Sequence, residues 1–504
     1  MNRREFFIRS AAARAAFQVS SGQSSSAFKA GFAERDITPD IGSEQPGGYG
    51  KSYHTKFHDP CKVRAAVFDD GRKRVALVGV DAEAIPRHLV LAARKEIRER
   101  SGIAENAVLA GASHSHSSGP VAGVQPGEFD HASPLVRRLA YEHSTAADAG
   151  YVERVRSEIV NAVVIANDAR VEAVCGVGFG LEDKVAYNRR LRMRNGRTYS
   201  HPGLGNPDTV GYAGPIDPQV GVIGAWGRDG RLLGCVVNYA CHATTNPGGI
   251  SANWIYYLEK TIRGATEPNV PVVFLQGACG DITQVDNLSR YAYPAGERWA
   301  QFVGGRIGAE AVKTLLSITP GALPPVESGS TVLTIKRRPP NPARVKDSLD
   351  LVQKDPKEVG LTKWTFAKEI VLLDAMISRE PAVDVEVQAV QVGPAIFLTN
   401  PAELFVEYGL ELKKKSPFPF TFPVELANGS VGYVPTEEAF GPHGGGYETR
   451  LTSYSNLEIT AGRQMVEAGL NLARHFTPGH ALEPPGPPPF KEPWSYGDVP
   501  PELS

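Results

Sequence analysis

The sequence predicts an α/β protein, a large single domain of mixed β-sheets with packed helices. Three observations carry this reading. Short apolar runs alternate with amphipathic stretches of helical period along the 504 residues. No internal repeat and no long linker divides them. The composition is globular, 42% hydrophobic and 22% charged, which excludes wholesale disorder. Length alone allows about three domains, but the missing linker favours one intertwined domain over residues 28–480. Residues 1–27 precede it and a proline-rich tail, 481–504, follows it.

Each element has a local reason. Arg74-Val-Ala-Leu-Val-Gly-Val80 is an unbroken apolar run and reads as a buried strand. A helix follows from His88 to Arg100, with Leu89, Leu91 and Ile97 expected on one side. Ala107 to Ala112 is the next strand. Val155, Ile159, Val163 and Val164 recur at helical spacing and predict a helix from Val152 to Ala166. Leu232–Tyr239 and Val270–Leu275 read as strands. Trp299, Phe302, Val303, Ile307, Ala311 and Leu315 form one amphipathic stripe. Val385–Thr399 reads as a hairpin turning at Gly393-Pro394, with a helix from Pro401 to Lys414 after it. Arg337–Pro356 is the softest stretch, and Gln464–His475 closes the globular part as a helix. The segment from Glu483 to Glu502, with Pro484, Pro485, Pro487, Pro488 and Pro489, is expected to lie extended on the surface.

Several function classes drop out early. The net charge of −1 and the absence of a Lys/Arg cluster give no footprint for nucleic acid. No run of about 18 apolar residues exists, so no transmembrane span is expected. Five cysteines, Cys61, Cys175, Cys235, Cys241 and Cys279, are scattered and lack CxxC spacing, which disfavours a disulfide framework or a cysteine zinc site. The N-terminus, Asn2-Arg3-Arg4-Glu5-Phe6-Phe7, has the arginine pair and aromatics of a twin-arginine export signal. Its apolar core is weak and interrupted at Arg14. The expectation is an exported protein, periplasmic or secreted, or a cytoplasmic one if the signal does not function.

Polar residues gather where predicted strands end. Val80 runs into Asp81-Ala82-Glu83, and Ala112 into Ser113-His114-Ser115-His116-Ser117-Ser118-Gly119-Pro120. Tyr239 follows Asn238 and leads to Ala240-Cys241-His242, and Leu275 leads to Gln276-Gly277-Ala278-Cys279-Gly280-Asp281-Ile282-Thr283. Ligands of open α/β sheets bind beyond the carboxyl ends of strands, and so many polar groups together suggest a site. His114 and His116, two apart in an extended segment, can face one cavity. Alone, that spacing fits a hydrogen-bonded or surface pair better than a metal site. His242 at another strand end raises the odds, since a catalytic zinc usually takes three protein ligands. Glu403 in Asn400-Pro401-Ala402-Glu403 reads first as the end of a helix capping box. Tyr433 and Tyr447 read as an ordinary strand tyrosine and a loop tyrosine.

The series His114-Ser-His-Ser-Ser-Gly-Pro, Asn238-Tyr-Ala-Cys-His242, Gly280-Asp281-Ile-Thr283, Asn400-Pro-Ala-Glu403 and Tyr433-Val-Pro-Thr resembles the neutral/alkaline, non-lysosomal ceramidases. The opening Ala33-Glu34-Arg35-Asp36-Ile37-Thr38-Pro39 and Gly47-Gly48-Tyr49-Gly50 is similar to theirs as well. The pieces are in order, and the likeness runs from about Phe28 to His475. It implies a ceramidase-like α/β catalytic domain acting as a zinc amidohydrolase on linear amides, cleaving the N-acyl bond of ceramide to sphingoid base and fatty acid. Carried over by residue, it implies that His114, His242, Glu403 and Tyr433 bind Zn2+. His116 would handle protons, and Arg189, Tyr447 and Thr283 would line the site.

The sequence also departs from the family. Tyr447 stands 14 residues after Tyr433, two more than the family's pattern, because of Gly444-Gly445-Gly446. Thr283 replaces a serine, keeping a hydroxyl suited to hydrogen bonding. Arg190-Leu191-Arg192 replaces a Ser-Pro segment. The resemblance implies the catalytic domain without the family's C-terminal β-sandwich. The partner implied is a lipid-like N-acyl amide, with peripheral membrane contact allowed and the oligomeric state left open. Asp81 and Asp281 are read as orienting partners of the ligand imidazoles, or equally as helix caps. Two rivals stay open: a zinc amidase or deacylase for a non-sphingolipid N-acyl substrate, and a metal-binding protein without catalysis. A serine or cysteine hydrolase is disfavoured because no Gly-x-Ser-x-Gly elbow occurs.

Overall fold

The apolar runs pair into one long sheet. In the computed structural model, which describes residues 28–289, 295–497 and 499–504, eight strands lie in the order Val272–Gln276, Leu232–Tyr239, Gln219–Gly227, Val171–Leu181, Lys29–Asp36, Lys62–Asp69, Arg74–Val80 and Val108–Ala112. The pairs at the two ends of this order are parallel and the inner ones antiparallel. The sheet curls until its ends meet. A Cβ placed on Gly79 would stand 2.3 Å from the Phe274 carbonyl oxygen, so glycine lets two backbones touch there.

A second sheet joins Val326–Lys336, Ala382–Val392, Ala395–Thr399 and Phe420–Val424, the last two in parallel. Its final strand continues into a stitch between both ends of the first sheet. Glu425 N donates to Gln276 O at 3.0 Å, Ala112 N to Leu426 O at 3.1 Å, and Asn428 N to Ala110 O at 2.8 Å. The carboxyl ends of strands from both sheets therefore converge on one region.

Helices cover the sheets with their apolar stripes. Arg87–Ser101 stops at Gly102, whose φ of 73° forms the left-handed cap. Ala149–Asp168 starts at Asp148, whose side chain accepts from Tyr151 N. Trp254–Ala265 and Glu297–Ser317 pack together, and Ala461–His475 packs on the second sheet. Buried ions tie strand to helix. Arg64 donates from Nη1 to Asp81 and from Nε to Glu259, both at 2.7 Å, and Lys62 reaches Glu259 at 2.7 Å.

The structure corrects several expectations. Leu91 is exposed while Leu89 and Ile97 are buried, because positions two apart in a helix diverge. The soft stretch holds a helix, Pro342–Leu351, capped by Asn341. No helix begins at Pro401. Glu403-Leu404 is instead a two-residue strand, and the helix spans Val406–Lys415. The tail residues 483–497 lie outside helix and strand and are exposed. The export-signal expectation for 1–27 lies outside the described residues. Among the described residues no helix is long and apolar enough to cross a membrane.

Candidate metal centre

Each candidate side chain reaches the centre for a local reason. His114 follows the strand end at Ala112 with φ of 61°, an uncommon left-handed conformation that turns the chain. Ser115 then pairs in parallel with Ala243, so the two histidine loops run side by side. His116 N donates to Ala243 O at 3.2 Å and His242 N to Ile282 O at 3.2 Å. Glu403 and Tyr433 are partners in a short parallel ladder, and Glu403 N donates to Gly432 O at 2.9 Å. Four separate stretches of chain thus meet.

The ligand atoms are spaced as around a small ion. Glu403 Oε2 lies 3.2 Å from His114 Nε2 and 3.3 Å from His242 Nε2. His116 Nε2 lies 3.3 Å from His114 Nε2, and the three imidazoles offer ligand atoms within 4.8 Å of one another. A tetrahedral zinc with ligands at about 2.0–2.1 Å separates them by about 3.3 Å. Glu403 Oε2 is buried without a hydrogen-bond partner, the only carboxylate oxygen so placed among the described residues. A divalent cation satisfies that atom, and the donor set of two or three imidazoles, a carboxylate and a nearby phenol suits zinc.

The electrostatics pair a cationic imidazole with the carboxylate. Burial favours loss of charge on His114, but the Glu403 carboxylate beside it holds its pKa up at about 9. Glu403 is held well below its ordinary range against burial by His114 and His242. Burial, with His114 and Arg189, pulls His116 down to about 3 and His242 well below normal. Burial pushes the Tyr433 phenol well above its ordinary value, so its phenolate needs a cation alongside.

Around these lie groups that orient and donate. His114 Nδ1 is 2.8 Å from the Glu83 carbonyl oxygen. Arg189 donates from Nε to Glu448 Oε1 at 2.8 Å and from Nη2 to Gly280 O at 2.6 Å, and its Nη1 is 3.0 Å from His242 Nε2. The same guanidinium lies over the rings of Tyr433 at 5.3 Å and Tyr447 at 5.0 Å, and the two phenol oxygens are 3.3 Å apart. Tyr447 therefore sits at the centre despite its longer loop. Thr283 is buried, and its hydroxyl donates to Gln284 Oε1 at 3.1 Å.

Two orienting roles are corrected. The Asp81 carboxylate is taken by Arg64 and by Lys62 N. Asp281 accepts from Asn188 Nδ2 at 2.7 Å and from Val406 N at 2.8 Å, serving the start of a helix. Neither holds an imidazole, because stronger or nearer donors claim both carboxylates. The residues that do were missed. Glu83 acts through its carbonyl, which side-chain reasoning cannot see. Cys279 Sγ lies 3.4 Å from His242 Nδ1, and only its place on a polar strand end hinted at it.

A cavity of about 420 Å³ opens onto His116, Glu403 and Tyr433 and reaches Phe129, Leu372 and Met376. Gly47, with φ of 87°, forms part of its wall, and a Cβ there would stand 2.0 Å from His116 Nδ1.

No protein-family model matches the chain. Over 227 residues it is 27% identical to the neutral ceramidase of Pseudomonas aeruginosa, a match covering 43% of this chain and 30% of that protein. The matched segment thus spans less than a third of the curated relative's length. Its fold is similar to the crystal structure of neutral ceramidase from Pseudomonas aeruginosa, with a TM-score of 0.65 and 18% identity over 91% of this chain and 76% of that one. A ceramidase complexed with C2 gives 0.64 and 18% over 91% and 77%.

Proposed function

We propose that this chain, similar to neutral ceramidase in fold and, over the matched segment, in sequence, is a member of that family and a zinc-dependent amidohydrolase cleaving the N-acyl bond of a ceramide-type lipid. One observation carries the reading: the orphaned Glu403 Oε2, 3.2 Å and 3.3 Å from two imidazole nitrogens, on a residue that lines the cavity. His114, His242, Glu403 and Tyr433 would hold the ion. When bound, zinc supplies a Lewis acid and a water acidified to a pKa of about 7.

The chain's own groups do the rest. His116 lines the cavity as a neutral imidazole and takes a proton from the attacking water. It returns that proton to the nitrogen as the C–N bond breaks, giving acid and free amine. Arg189, locked by Glu448 and Gly280, and Tyr447 pack against Tyr433, which lines the cavity, and from there we assign them as donors to the carbonyl oxygen as charge grows on it. Thr283 supports the adjoining loop through Gln284.

Metal analysis of the purified protein and turnover of a fluorogenic ceramide test this. His114→Ala is expected to lose stoichiometric zinc and activity together, and a variant keeping both refutes the assignment. A second reading, an amidase for a more polar N-acyl substrate, has its own support. Glu83, Arg87, Glu128, Arg337 and Glu369 all line the cavity, where a purely lipid groove would be apolar. A panel of ceramide and short N-acyl amides separates the two. For the N-terminal arginine pair we propose export, tested by cell fractionation.

A further inference from the structure

A ligand imidazole presents one nitrogen to its ion and gives the N–H on the other to a partner, which fixes tautomer and ring orientation. His114 follows that rule with the Glu83 carbonyl oxygen at 2.8 Å. His242 has no such carbonyl. Its Nδ1 faces the Cys279 thiol at 3.4 Å. A thiol sulfur is a weak acceptor on its own. Here its S–H is given away, to Glu425 Oε1 at 2.8 Å, which leaves the sulfur lone pairs free and richer in charge.

Glu425 is the less expected part. It is fully buried, and a buried carboxylate is costly without partners. Its Oε2 accepts the N–H of Cys279 at 2.9 Å and of Leu404 at 3.0 Å. Leu404 follows Glu403 directly. One carboxyl group therefore braces the outer partner of His242 and the backbone beside Glu403. Neither Cys279 nor Glu425 lines the cavity, and each reaches the centre through another residue.

We propose that Cys279 and Glu425 are positioning residues of the metal centre: Cys279 accepts the Nδ1–H of His242 so that Nε2 faces the ion, and Glu425 sets both Cys279 and the Glu403 strand in place. The proposal rests on reading His242 and Glu403 as metal ligands.

The test uses the full chain and zinc alone. Zinc affinity is measured by competition with a chromophoric chelator for wild type, Cys279→Ala, Cys279→Ser and Glu425→Gln. The absorption bands of the cobalt-substituted proteins are recorded alongside. Loss of an outer partner typically weakens metal affinity by about 10–100-fold, and that loss is expected for Cys279→Ala and Glu425→Gln, with shifted cobalt bands. Cys279→Ser is expected nearer wild type, because a hydroxyl can both accept and donate. Unchanged zinc affinity and cobalt bands overturn the proposal, and so does a fall in apo-protein stability alone. If Cys279→Ala does not fold, Glu425→Gln and Cys279→Ser carry the same comparison. A wild type that binds no zinc overturns the metal reading itself, and that result is seen before any substitution.

Discussion

Arg189 is the residue on which a structural and a catalytic role can be separated most cleanly. Its guanidinium and the Glu448 carboxylate are 3% and 0% exposed and 2.8 Å apart. Arg189→Met keeps most of the side-chain volume but strands Glu448, which then retains Ser200 Oγ as its remaining side-chain donor. Breaking a buried pair from one side costs about 3–5 kcal/mol. Removing one donor to a developing oxyanion costs about 10²–10³ in rate. The single variant mixes both effects. Arg189→Met with Glu448→Gln removes the stranded charge, so most of the stability should return while the donor stays absent. Denaturant unfolding and kcat on a fluorogenic ceramide, each at saturating zinc, read the two separately. The expected double variant is close to wild type in stability and still down by about 10²–10³ in kcat. A double variant that recovers activity along with stability refutes the oxyanion role and leaves Arg189 as a structural ion.

Three further outcomes follow from the geometry. His116→Ala should retain zinc but lose turnover by about 10²–10⁴, and zinc analysis that instead finds the metal gone would make His116 a ligand, as the three-imidazole cluster also allows. Gly47→Ala should lower kcat with little change in zinc content, because its Cβ would stand 2.0 Å from His116 Nδ1, and unchanged kinetics would show that His116 need not sit where it does. Arg64, Lys62 and Arg263 outweigh burial and hold Glu259 at about 2 against an ordinary 4.5. A folded-state pKa below the unfolded one contributes stability that is full above the ordinary value and fades as pH falls toward 2. Denaturant unfolding between neutral and acid pH should therefore show a smaller loss for Glu259→Gln than for wild type, and equal losses would place the acid sensitivity elsewhere.

Periodicity made much of the scaffold legible. Arg74–Val80 and Leu232–Tyr239 are strands with the expected bounds, since a continuous apolar run between polar ends has few other uses. His114, His116 and His242 could be picked out because each closes a strand. Glu403 could not. Asn400-Pro401-Ala402-Glu403 carries the local signals of a helix start, and those signals lost to a ladder with Tyr433, thirty positions along the chain. Periodicity carries no information about such a pairing. Tyr433 and Tyr447 were visible through family likeness alone, because a phenol becomes a candidate ligand only when an anion and an imidazole stand beside it. Asp81 shows the opposite error. It occupies a strand end like the histidines do, yet Arg64 on the neighbouring strand claims it.

The convergence has one structural origin. A sheet whose ends stayed apart would leave the loops after Ala112 and Tyr239 on opposite sides of the protein. Residues 425–428 close it by bonding to both Gln276 and the Val108–Ala112 strand, and that closure sets His114 against His242 with ring centroids 4.4 Å apart. The stitching segment continues the strand Phe420–Val424, which pairs in parallel with Ala395–Thr399, so the chain leaving Thr399 delivers Glu403 to the same point. A hydrophobic core needs none of this polar crowding, and the desolvation of a buried carboxylate and imidazolium is costly even where Glu403 and His114 pair. Such an arrangement persists only where the surrounding fold over-determines it. The cluster is therefore better explained as a preformed cage for a cation than as a by-product of packing.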